Sequence, residues 1–257
     1  MLPLAVLALS GAVAGALGAM LGVGGGFVIV PALSILFGVP MHTAVAAGQV
    51  GVVATSTVAS LHYLREGLVH LRLALALLLA TTLGAATGAA VGSKLDARYL
   101  SVVFGVVLLY VAWRMMGQRS RFDDGEITVH NCPVSRWWLG HTGAYVGGAL
   151  SGLLGIGGGV INVPLFCLGM RIPMRLATAT SAFLVGITGA TAAIVYYSRG
   201  HTDLVVTGAT VLGALAGAAL GARVATRINA GYLRIAFGAL AAYTAIVMIG
   251  RGLELSL

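Results

Sequence analysis

Read for its alternation of apolar and polar positions, the chain is a succession of ten apolar stretches separated by short polar turns. They run over about 3–22, 26–38, 42–62, 70–92 and 98–117, then over about 138–155, 159–170, 173–197, 204–223 and 231–250. Each is predicted to be a helix, and the fold class is all-α. The second stretch of each set is short. Residues 159–170, at about 1.5 Å each, reach about 18 Å, well under the roughly 30 Å hydrocarbon core of a bilayer. Stretches one and two of each set are therefore expected to form a broken or re-entrant hairpin that turns at the glycines between them. Non-helical backbone at that depth survives only against protein or a wet cavity.

The two sets of five are copies. Gly22-Val23-Gly24-Gly25-Gly26 with Val30-Pro31 returns 133 residues later as Gly155-Ile156-Gly157-Gly158-Gly159 with Val163-Pro164. In the same ungapped register Pro40-Met41 meets Pro173-Met174, Ala44 meets Ala177, Tyr63 meets Tyr196, and Phe104-Gly105 meets Phe237-Gly238. The expected organisation is a first transmembrane repeat over 1–117, a cytoplasmic linker over 118–136 and a second transmembrane repeat over 137–257. Duplicated apolar chains interrupted by glycines at one place are a common way to build a central transport site.

Composition agrees with the pattern. Hydrophobic residues make up 59% of the chain and charged residues only 9%, whereas a soluble domain is about a quarter charged. This is a multi-pass membrane protein by inventory. The net charge of +8 does not point to nucleic acid, because the cations sit in short turns between apolar stretches. Met1-Leu2-Pro3-Leu4 carries no side-chain cation, so no secretory signal is expected ahead of the first helix. Cys132 and Cys167 have no metal-like spacing and are expected to be free thiols. No cofactor and no metal are expected.

Cation placement predicts topology. If each repeat crosses an odd number of times, Arg65, Arg72, Arg114, Arg119, Arg121, Arg136, Arg171, Arg175, Arg223, Arg227 and Arg234 share one side. Lys94, Arg98, Arg199 and Arg251 lie opposite. That eleven-to-four split obeys the positive-inside rule, whereas four crossings per repeat would give seven to eight. Odd-span repeats are inverted relative to each other, with both termini outside the cytoplasm.

Inversion decides what the glycines do. The helices that follow the two bends start at mid-membrane from opposite sides. Their unpaired N–H groups and positive dipole ends are expected to converge on one cavity suited to an anion. Gly24, Gly25, Gly26, Gly157, Gly158 and Gly159 are thus the expected backbone contacts. By contrast, Gly84/Gly88/Gly92 and Gly213/Gly217/Gly221 read as helix-packing positions. All seven acids (Glu66, Asp96, Asp123, Asp124, Glu126, Asp203 and Glu254) fall in turns or tails, so a cation pathway finds no intramembrane carboxylate. Among polar residues inside the apolar stretches, Asn162, Gln49 and Ser181 are the expected substrate contacts. Thr180 ranks lower because hydroxyls often bond back to their own helix. Cys167 is the candidate for a sulfur-bearing ligand, and His42 is the central candidate for proton coupling.

The paired blocks Gly22 to Pro31 and Gly155 to Pro164, and Pro173-x-x-x-Ala177-x-Ala179-Thr180-Ser181 after the second, resemble the sulfite exporter TauE/SafE family. The resemblance covers nearly the whole chain. It implies a bacterial or archaeal inner-membrane transporter, an exporter of small sulfur-containing anions such as sulfite, sulfonates or sulfoacetate. The first repeat departs from the pattern: Pro40 to Gly48 lacks the Thr-Ser pair. The expected partners are a lipid bilayer and a small anionic substrate, with a homodimer left as an option and no nucleic acid. Alternating access around a midplane site is the expected mechanism, and an anion channel is the alternative. An intramembrane hydrolase would have to pair Ser181 with His42, without the Gly-x-Ser-x-Gly turn such a serine uses; no enzyme is expected.

Overall fold

A computed structural model describes residues 4–21, 23–117, 137–170, 172–225 and 230–253. The expected linker at 118–136, with Cys132, lies outside the described residues, as do Gly22 and Arg171. All ten predicted stretches are helical. They are α1 (Leu4–Leu21), α2 (Gly26–Pro31), α3 (Met41–Arg65), α4 (Leu71–Gly92), α5 (Ala97–Gly117), α6 (Trp137–Leu154), α7 (Gly159–Pro164), α8 (Met174–Ser198), α9 (Leu204–Ala225) and α10 (Ala230–Gly252). Among the described residues four helices, α3, α4, α8 and α9, are long and apolar enough to cross a bilayer; α1, α2 and α5 hold shorter apolar helices.

Local chemistry sets the ends. Pro40 and Pro173 hold the extended backbone that precedes α3 and α8, and each accepts the first helical bond, from Ala44 and Ala177 at 2.9 Å. Equivalent positions cap α4 and α9 with different side chains. His70 Nδ1 accepts from the Leu73 N–H at 3.2 Å, and Asp203 Oδ1 accepts from Val205 and Val206 at 2.9 and 3.1 Å. The short helices α2 and α7 do not stop at their prolines. Each widens into a π-helical segment, Ala32–Leu36 after Pro31 and Leu165–Gly169 after Pro164. A proline there has no N–H for the carbonyl four residues back, and its ring crowds that carbonyl, so the bonding slips to a wider register.

Packing exchanges elements between the repeats. Helix α1 lies along α9 and α6 lies along α4, while α5 pairs with α10 and α3 with α8. The α1/α9 and α4/α6 seams are backbone-close because of glycine. A methyl group added at Gly217 would overlap the carbonyl of Ala12, and one at Gly88 the carbonyl of Ala149. The Gly84/Gly88/Gly92 and Gly213/Gly217/Gly221 ladders are therefore packing seams. Contacts along each seam advance in the same direction in both helices, so α1 runs parallel to α9 and α6 parallel to α4. Across the centre the direction reverses: Ser56 of α3 lies against Gly186 of α8, and Val52 against Gly189. Leu75, Leu79 and Leu83 on α4, and Leu212 and Leu220 on α9, face outward.

The first hairpin doubles back on itself. Helix α1 starts beside the start of α9 and passes the level of Ala19, whose carbonyl accepts from Tyr63 Oη near the far end of α3 at 3.3 Å. The chain then turns back to the level of Thr55, and α2 returns toward the start of α3. At its exit the carbonyls of Ser34 and Ile35 accept from the Arg251 guanidinium of α10 at 2.7 and 3.3 Å.

Candidate functional site

The glycine bends meet at the centre of the molecule. Gly24 and Gly157, equivalent in the two repeats, have φ of +83° and +86°, which side chains rarely adopt. Both lie against the same pair of equivalent valines, Val52 of α3 and Val185 of α8. The bends also touch directly, with a methyl group at Gly26 overlapping the carbonyl of Gly155, and one at Gly157 overlapping the carbonyl of Val23. Each bend thus seats a carbonyl against the glycines of the other. Gly25 donates its N–H to Thr55 Oγ1 at 3.2 Å, which holds the first bend on α3. All six bend glycines singled out in the sequence are buried.

Beside the second bend sits a cluster of buried neutral polar groups. Asn162, on the first turn of α7, is fully buried, and neither its Oδ1 nor its Nδ2 has a hydrogen-bond partner. Its Oδ1 lies 2.6 Å from where a methyl at Gly147 would stand, and its Nδ2 lies 3.2 Å from a methyl at Gly158. One turn further along α6, the buried Ser151 Oγ is also unpartnered. Ser151, Gly147 and Gly157 line a cavity of about 10 Å³, room for one water. Gln49 reaches across from α3 and donates Nε2 to the carbonyls of Ser151 at 2.6 Å and Gly152 at 3.3 Å. Because both partners are carbonyls, the amide orientation is fixed by chemistry, and the buried Oε1 is left without a donor. Ser181 on α8 is fully buried with an unpartnered Oγ. It occupies the place of Gly48, which abuts Val30 and the carbonyl of Gly155 in the first repeat.

The remaining predicted residues lie elsewhere. Thr180 Oγ1 accepts from the backbone N–H of His70 at 3.0 Å, tying α8 to the start of α4. Cys167 is a buried free thiol packed among Leu73, Leu77, Phe166 and Met170. His42 is at the rim, where its ring stacks on His201 at 4.9 Å and Nε2 meets the carbonyl of Leu95 at 2.9 Å. His201 meets the neighbouring carbonyl of Ser93 at 3.2 Å. Ser181 and His42 are thus not in contact, and no hydrolytic pair forms. Ser151 was missed from sequence; its signal was the register itself, where serine replaces Gly18 four residues ahead of the bend. Among the described residues no cluster of histidine, cysteine and acids could hold a metal ion.

A sequence profile of proteins described as Sulfite exporter TauE/SafE matches residues 7–248. The chain belongs to that family. Its relatives are called membrane transporters. Probable membrane transporter protein YunE of Bacillus subtilis (strain 168) is 28% identical over 241 residues, which cover 85% of this chain and 87% of that protein. A probable membrane transporter protein of Xylella fastidiosa (strain 9a5c) is 30% identical, covering 94% of this chain and 93% of the relative. Probable membrane transporter protein MJ0441 of Methanocaldococcus jannaschii is 23% identical, with 97% and 96% covered. No solved structure matches the chain significantly. What this TauE/SafE chain holds in its interior is two glycine bends in contact and several buried amide and hydroxyl groups without partners.

Proposed function

We propose that the chain is a secondary transporter, an exporter of small sulfur-containing anions such as sulfite, sulfonates or sulfoacetate, rather than an enzyme. It sits in the cell inner membrane with both termini outside the cytoplasm. The observation that carries this reading is the meeting of the two glycine bends beside Asn162, at the helix ends where amide N–H groups lack intrahelical acceptors. The antiparallel crossing of α3 and α8 supports the inverted arrangement of the repeats. In this conformer the bends plug each other, since the carbonyls of Val23 and Gly155 stand where an oxyanion would approach. Opening separates the bends, and the anion takes the place of those carbonyls. Alternating access then amounts to parting the bends toward one face at a time. Asn162, Gln49, Ser181 and the amides of Gly24, Gly26 and Gly157 to Gly159 are the proposed contacts, while Gly25 holds the first bend on Thr55. Cys167 enters only as a packing thiol on the π segment after α7, and Thr180 as a strut. A proton-coupled cycle would use His42.

The test is flux into proteoliposomes holding the purified chain. A transporter gives saturable uptake of labelled sulfite that competing sulfonate suppresses and an imposed proton gradient alters. Unsaturable conductance would instead make it an anion channel, and strict cation selectivity would end the reading.

A further inference from the structure

Four of the polar atoms left unpartnered at the centre belong to three residues near the second bend: Asn162, Ser151 and Gln49. A fifth is Ser181 Oγ. None of these groups carries charge. Among the residues whose burial is described no lysine, arginine, aspartate or glutamate is buried, and the buried histidine, His70, is engaged as the cap of α4. Among the described groups, the positive potential next to the bends is that of the helix ends. Each short helix continues through its π segment, five residues past the proline, and such an end is worth roughly half an elementary charge. Two opposed ends offset about one negative charge. A second charge would be buried without compensation, and the cost of burying charge rises with its square.

Gln49 adds a requirement about protons. Both its N–H groups are spent on the carbonyls of α6, so it can offer a ligand only an acceptor. Asn162 offers one acceptor and two donors; the serines can do either. A bare oxyanion satisfies donors and leaves Gln49 Oε1 and Asn162 Oδ1 orphaned. A ligand carrying its own O–H can satisfy one of those acceptors as well.

We infer, resting on the transport reading above, that the site takes a singly charged oxyanion bearing its own hydrogen-bond donor: hydrogensulfite rather than the sulfite dianion or sulfate. The site is single, because the positions of Gln49, Ser151 and Asn162 are taken in the other repeat by Ala182, Gly18 and Ile29.

The experiment uses the wild-type chain in proteoliposomes and competes labelled sulfite uptake with three probes. Hydroxymethanesulfonate is a monoanion with a hydroxyl, methanesulfonate a monoanion without one, and sulfate a dianion. The expected order is hydroxymethanesulfonate ahead of methanesulfonate by about tenfold, the value of one added bond to a buried acceptor, with sulfate ineffective. Sulfite affinity should also fall as pH rises and the dianion replaces hydrogensulfite. Asn162→Ile, the first-repeat residue, should erase the preference for the hydroxyl probe. Sulfate competing as well as sulfite, or methanesulfonate matching the hydroxyl probe, overturns the inference and leaves the transport reading standing. Absence of any sulfite uptake by a folded chain, checked by size-exclusion elution, sinks both.

Discussion

The two repeats share a backbone and differ in what they place on it. Both bends use a glycine with φ above +80° against the same valine pair, and both following helices widen after a proline. Yet beside the first bend stand Ala14, Gly18 and Ile29, and beside the second stand Gly147, Ser151 and Asn162. Ile29 is buried and packs its δ-methyl onto Gly51, filling the space. Asn162 is equally buried and leaves both polar atoms without partners. Orphaned amides in a low-dielectric interior cost about 1–3 kcal/mol and persist where something else needs them. The comparison teaches that duplication supplied the frame twice, while the unpartnered polar side chains next to a bend, Ser151 and Asn162, stand in one copy only among these equivalent positions.

That contrast can be broken most directly at the bends. Gly157→Ala should cut sulfite flux at least about a hundredfold, because its methyl meets the Val23 carbonyl on top of the strain that the left-handed conformation imposes at both bends. The equivalent Gly24→Ala meets only side chains, at 3.1–3.3 Å, and should retain more of the flux. Equal loss in both would show the bends to be used alike. Asn162→Ile should cut flux about tenfold to a hundredfold while raising thermal stability by about 1–3 kcal/mol, since it removes orphaned groups. A melting temperature that falls instead would mean the amide is satisfied in the native protein. The reverse change, Ile29→Asn, should destabilise by about 2 kcal/mol and create no second site. Gln49→Ala, the second-repeat residue, should cost about 1–2 kcal/mol of stability through the lost tie to α6, with a several-fold weaker apparent affinity. Smallest is Thr180→Val, which removes an acceptor for the His70 N–H and should cost about 1 kcal/mol with an unchanged KM. A large KM change there would return Thr180 to the substrate.

Much of this was legible before any coordinates. Apolar runs and the Pro-Met starts located every helix to within a few residues, because lipid-facing and core-facing helices both need unbroken apolar sequence. The paired glycines announced the bends, and their spacing separated bend from seam. Asn162 stood out as the polar residue opposite an isoleucine. Side-chain commitments were not legible. That Gln49 spends its donors on α6, that Thr180 props α4 and that His42 stacks on His201 all depend on contacts between residues about 100 or more positions apart. Composition is silent about these. The π segments were foreshadowed by Pro31 and Pro164, but a proline can end a helix as readily as widen it.

The exchange of partners between repeats has a consequence for biosynthesis. Helix α1 leaves the ribosome with a face of glycine and alanine that matches α9, and α9 begins only at Leu204. Until then that face has no mate, so the newborn first half must wait in the bilayer as an unfinished bundle. Cut in two within 118–136, the protein should work when both pieces are made together and should fail when either is made by itself.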